Sequence, residues 1–218
     1  MSFSSEMIER QLMSARVLLV NTRANPDIRD ALAAHGFTAE RLDEGEILSN
    51  NLSALCQHKI NRYGGLRGTT NALGAAGKQA QQTYRAHITL ARVAFQSDQG
   101  TLQALHLLGP RKRTLAGWLG QARDFYATAL ATPAIAARLA EFTITREQLE
   151  AGVQLMDAVR EHHAASLQQR GLAQESTYER DLAAKELKSW ISDFKLIARV
   201  ALKSRPQLLE QFGIFVRS

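Results

Sequence analysis

The chain has one cysteine, four prolines and only 6% aromatic residues in 218. A lone Cys56 excludes an intrachain disulfide framework and any cysteine-based zinc knuckle. Few prolines and few aromatics in a chain rich in Ala and Leu argue against a β-sandwich or barrel. No run approaches the roughly 18 consecutive apolar residues that a membrane span requires. The stretch Met1 to Glu9 shows no basic start followed by an apolar segment, so no signal peptide is expected. These absences point to a soluble, cytoplasmic protein with no membrane partner. Length suits one large domain or two small ones, and 45% hydrophobic content is enough to bury a sizeable core.

Charge is mildly basic, 27 Lys and Arg against 21 Asp and Glu, or +6 at pH 7. The excess is spread: 11 basic against 9 acidic residues up to Leu108, and 16 against 12 after it. The one dense run is Arg111-Lys112-Arg113.

Self-comparison at an offset of 107 residues aligns Pro26 with Pro133 and needs no gap. Between positions 24 and 109 it gives 20 identities in 86 positions, against roughly one in twelve by chance for such a composition. The identities include turn and cap positions (Thr38/Thr145, Gly45/Gly152, Gly64/Gly171) as well as apolar ones (Leu32/Leu139, Leu42/Leu149). The chain therefore reads as a single domain made of two repeats, about 1–108 and 109–218.

Each repeat opens with an amphipathic helix, Glu6 to Arg23 and Arg113 to Leu130, with Ile8, Leu12, Ala15 and Leu19 at helical spacing. Asn25-Pro26 and Thr132-Pro133 then cap a short second helix. Gly36 ends it in the first repeat, where a positive φ is easy; Thr143 stands there in the second. A third helix begins at Thr38 and Thr145. Phe37 with Leu42, and Ile144 with Leu149, have the spacing of hydrophobic staples, and Thr145 with Gln148 that of a capping box. Gly64 and Gly171 are expected to break this helix. A fourth helix follows, clearest at Leu187, Trp190, Ile191, Phe194, Ile197, Ala198 and Ala201. Short helices at Gln99 to Leu108 and Pro206 to Phe212 close the repeats.

The third and fourth helices should form an antiparallel hairpin in each repeat. Two hairpins covering each other's apolar faces predict an all-α, internally duplicated bundle with pseudo-two-fold symmetry, four long helices and short flanking ones. Gly45 and Gly152, costly within helices, suggest close backbone approach at the axis.

Few motifs carry chemistry. Gly74-Ala75-Ala76-Gly77-Lys78-Gln79 lacks the first glycine and the hydroxyl residue of a phosphate loop, and reads as a loose inter-helix turn. No Glu-x-x-His occurs, and Asp157, Glu161, His162 and His163 match Asn50, Ala54, Leu55 and Cys56, so a symmetric bimetal site is not expected. Their reading is a solvated helix end. Cys56 and His58 sit two apart on a helix and point to different sides, against a nucleophilic set with His87. His87 falls on the core stripe opposite Phe194 in the alignment; it reads as a buried neutral histidine with a hydrogen-bond partner, or else as a proton carrier. Arg92 and Arg199, kept in both repeats, either fix helix register or face a shared anion. Arg111, Lys112 and Arg113 form either a solvated helix start or a phosphate contact.

The resulting expectation is a non-catalytic binding or scaffold protein without a cofactor, with a protein partner or a homodimer as its complex. The alternative is a nucleic-acid or anionic-ligand binding protein using basic residues of the second repeat. An enzyme ranks last, because no set of titratable groups converges in the sequence.

Overall fold

A computed structural model describes residues 3–215. It is all-helical, with no strand among the described residues. In chain order the elements are α1 (Ser5–Ala24), α2 (Pro26–Ala33), α3 (Ala39–Ala94), α4 (Gln99–Ala104), α5 (Leu115–Ala131), α6 (Pro133–Glu141), α7 (Arg146–Ala201) and a 3-10 helix (Pro206–Phe212).

The local signals place the boundaries. The Asn25 side chain accepts hydrogen bonds from the Asp27 and Ile28 amides and so caps α2. Thr132, at the start of α6, makes no side-chain cap and serves through its backbone carbonyl alone. Both short helices end through the same pair of bonds. The amides of Gly36 and Phe37 donate to Ala33 and Leu32, and those of Thr143 and Ile144 donate to Ala140 and Leu139. This ending requires positive φ, +83° at Gly36 and +66° at Thr143. The capping box forms: the Gln148 amide donates to Thr145 Oγ1, and the Thr145 amide donates to Gln148 Oε1. All four staple residues are buried.

The expected hairpins are absent. α3 and α7 each run unbroken for 56 residues, so four predicted long helices are two. Gly64, Gly171 and the stretch Gly74 to Gln79 lie inside helix, not in turns. The reason is that glycine lowers helix propensity by about 1 kcal/mol without forbidding the helix. The stronger breakers, a proline or a residue held at positive φ, do not occur within either long helix.

Two compact units result: Met1–Gly64 with Gly171–Ser218, and Gly65–Arg170. Each draws helices from both halves of the sequence. In the first unit, α1, α2 and the start of α3 pack with the end of α7 and the 3-10 helix. Its centre is aromatic: Phe37 meets Trp190 and Phe194 at 5.6 and 5.0 Å, and Phe194 meets Phe212 at 5.1 Å. Ile28, Leu32, Leu42 and Leu52 complete it. In the second unit, the end of α3, α4, α5, α6 and the start of α7 enclose Tyr84, Phe125, Tyr126, Leu139, Ile144 and Leu149.

Gly45 and Gly152 do mark close approaches, but to aromatic rings inside separate units rather than to a backbone at an axis. A Cβ on Gly45 would lie 2.2 Å from the Trp190 ring, and one on Gly152 would lie 2.3 Å from the Tyr126 ring. The Trp190 indole N–H donates to the Arg41 carbonyl at 2.8 Å, which fixes the ring over Gly45.

Candidate functional site

Three segments of the second unit converge on one cleft. On α3, Gln81, Tyr84 and Arg85 share a face because residues three and four apart are helical neighbours. The extended strap Arg111-Lys112-Arg113 runs beside them, and Trp118 enters from the first turn of α5. The cleft has a volume of about 270 Å3. Tyr84 and Trp118 are almost fully buried, so they form a floor and offer no free stacking face.

The strap is held at three points. His106 and Gly109, both at positive φ, turn the chain out of α4. The Arg92 guanidinium then donates twice to the Leu107 carbonyl, at 3.3 and 3.1 Å. Further on, the Lys112 amide donates to Gln121 Oε1 at 2.8 Å, and the Thr114 hydroxyl accepts the Gly117 amide to cap α5. Gly117 makes room for the Lys112 side chain, whose Cβ lies 2.9 Å from where a Gly117 Cβ would stand.

Four cations, Arg85, Arg111, Lys112 and Arg113, line this recess and no carboxylate does. None of the four makes an ion pair among the described residues. Arg85 does contact Gln81 Oε1 at 3.5 Å. Burial pushes the Tyr84 phenol above its ordinary value, and the charges of Arg92 and Arg111 oppose that shift. Asp124, whose charge also reaches Tyr84, is engaged by Arg123 at 3.4 Å. The amino end of α5 adds its partial positive charge to the same region. The recess is therefore lined by positive charge.

The other sequence candidates are divided between the two units. Arg92 belongs to the second unit and Arg199 to the first, so neither unit holds both. Arg92 is a strut for the strap, and Arg199 is exposed on the last turn of α7. Cys56 and His58 lie in the first unit and His87 in the second. Burial raises the Cys56 thiol above its ordinary value, and His58 Nε2 accepts a bond from Arg62 Nε. Asp157 pairs with Arg160 at 2.8 Å, and His163 lines a groove with Arg123, Arg160 and Leu119. Among the described residues no three His, Cys, Asp or Glu side chains are placed to share a metal ion.

His87 is 8% exposed and lies in the core, hydrogen-bonded through Nδ1 to the Tyr126 hydroxyl at 3.1 Å. Burial lowers its pKa below the ordinary 6.5, and burial likewise raises that of Tyr126, with Tyr84 adding to the shift. The unfolded chain therefore takes up the His87 proton first as pH falls, so this group's stabilisation is complete above about 6.5. It is lost progressively as pH drops from there through the lowered folded value. Replacing both partners, His87→Phe with Tyr126→Phe, is expected to flatten that part of the stability–pH curve. Denaturant titrations between pH 7 and 5 check this; an unchanged slope contradicts it.

Sequence reasoning missed Gln81, Tyr84, Arg85 and Trp118. The 81/84/85 spacing was visible, but only the tertiary fold brings that face to the strap. No helix among the described residues is long and apolar enough to cross a membrane. Comparison with protein-family models, curated proteins and solved structures finds no match for the chain.

Proposed function

We propose that the protein is a non-catalytic helical binding module whose ligand is an anion held in the cleft of the second unit. The observation that carries this reading is the gathering of four cations around one recess without a carboxylate among its lining residues. Such a gathering is electrostatically unfavourable in the free protein, and an anion relieves it. Arg111, Lys112 and Arg113 thus act as ligand contacts rather than as a solvated helix start. Arg92 serves as a positioning residue through Leu107.

Thermal unfolding in a panel of sulfate, orthophosphate, citrate and tripolyphosphate, each against chloride at matched ionic strength, tests the reading. A bound anion at tenfold its Kd stabilises by about 1.4 kcal/mol, or roughly 3–6 °C in a chain of this size. The shift should disappear in a triple variant, Arg85→Ala, Arg111→Ala and Arg113→Ala. If no anion gives a variant-sensitive shift, the reading fails.

The fold supports a second part of this reading, an internal duplication with reciprocal exchange of helices. α2 and α6 begin 107 residues apart, as do α3 and α7, which are equally long. The positive φ angles of Gly36 and Thr143 keep the same interval, and so do two glycines seated under aromatic rings. Pseudo-two-fold symmetry belongs to this part of the proposal.

A protein-interaction role is favoured by one other observation. On α1, Met13, Val17 and Val20 are exposed along one face, Met13 by 71%. Leu12, Met13, Leu19 and Val20 line a groove of about 560 Å3 against Ser49, Asn50 and Ser53 of α3.

A further inference from the structure

The anion reading leaves the ligand's chemistry open, and the geometry of the recess narrows it. We propose that the cleft binds a short linear polyphosphate, two or three consecutive phosphate groups, either free or as part of a small molecule. This inference rests on the anion reading of the same cleft and deepens it.

Charge is the first argument. Arg85, Arg111, Lys112 and Arg113 carry four positive charges, and none is offset by an ion pair among the described residues. One orthophosphate, with a charge between −1 and −2 at neutral pH, would leave about half of that uncompensated. A diphosphate or triphosphate matches it.

Geometry is the second. The cations come from two separate segments, Arg85 on α3 and three consecutive strap residues. Three of the four are arginines, whose planar forks grip phosphate oxygens in pairs. The strap is fixed before any ligand arrives, by the Arg92–Leu107 and Lys112–Gln121 hydrogen bonds. Little ordering is then left to oppose binding.

Size is the third. A recess of about 270 Å3 falls just under the roughly 300–1,000 Å3 of drug-sized ligand pockets, a scale that suits a small anion. A nucleic acid strand instead needs a cationic track with free aromatic faces along it. Here the cations surround one recess, and its two aromatic rings are 3% and 4% exposed.

Isothermal titration of the full chain with sodium orthophosphate, pyrophosphate and tripolyphosphate, at constant ionic strength, tests the proposal. Affinity should rise at least about tenfold from orthophosphate to tripolyphosphate. Arg111→Ala and Arg113→Ala should each weaken tripolyphosphate about tenfold without lowering the melting temperature of the free protein, since both side chains are exposed. Arg123→Ala, a basic residue outside the cleft, should change neither. Equal affinity for all three probes, with variant sensitivity retained, overturns the polyphosphate inference and leaves the anion reading standing. Binding of none of them, together with no response to sulfate or citrate, overturns both. A single-stranded or duplex oligonucleotide that binds more tightly than tripolyphosphate, through the same arginines, overturns the inference in favour of nucleic acid.

Discussion

Gly45→Ala is expected to lower stability by about 1–3 kcal/mol, although the same exchange in an ordinary helix raises it by roughly 0.5–1 kcal/mol. The new methyl carbon would stand 2.2 Å from one ring carbon of Trp190 and 2.3 Å from another. The ring has little freedom to retreat. Its indole N–H is bonded to the Arg41 carbonyl, and the ring packs on Phe37 and Phe194. Gly74→Ala is the control, because a Cβ there meets nothing within 4 Å; it should stabilise by about 1 kcal/mol at most. In a Trp190→Leu background the cost of Gly45→Ala should largely vanish, giving a coupling of about 1–3 kcal/mol in the double-mutant cycle. Gly152→Ala should behave in the same way against Tyr126. Denaturant unfolding measures all of these. If Gly45→Ala proves as benign as Gly74→Ala, the ring does not sit where the packing requires.

The contrast between Gly45 and Gly64 shows how far the sequence could be read. Signals that act within a few residues were legible: the Asn25 cap, the Thr145–Gln148 box, the staples and the turn ending at Gly36. Each is decided by neighbours in sequence, so pattern and structure agree. Gly64 has the same local chemistry as a helix stop, yet the helix continues through it. What decides between turn and helix is whether the residues beyond can bury their apolar stripe. In the second unit that stripe, Ala80, Tyr84 and Ile88, is buried in the core that also holds Phe125 and Tyr126. No local rule foresees a partner that far along the chain. His87 was legible as a core residue because it falls on that stripe, but its partner Tyr126, 39 residues away, was not. The cleft illustrates the same limit. Its strap was conspicuous as a charge run, whereas Arg85 on α3 becomes part of the site only when the fold carries it there.

A chain divided between Gly109 and Pro110 should yield two fragments that fold together and fail apart. Neither compact unit is contained in one fragment. Residues 1–109 carry Ile28, Leu32, Phe37 and Leu42 of the first unit, but Leu187, Trp190, Phe194 and Ala198 are on the other fragment. They carry Tyr84, Ile88 and Phe95 of the second unit, but lack Phe125, Tyr126 and Leu149. Each large apolar side chain left uncovered forfeits about 1.5–3 kcal/mol. Four to six of them forfeit about 6–18 kcal/mol, as much as the roughly 5–15 kcal/mol that holds a typical domain together. Each fragment alone is therefore expected to lose its cooperative melt, and an equimolar mixture should recover both the helical circular dichroism and a single sharp transition. Sedimentation of the mixture should report one complex of each fragment. A fragment 1–109 that instead pairs with itself would show that the Ala80–Tyr84–Ile88 stripe can stand in for Leu187–Ile191–Lys195, the positions 107 residues on. A fragment that melts cooperatively as a monomer would contradict the interleaving, because its apolar stripes would then have found cover without the other half.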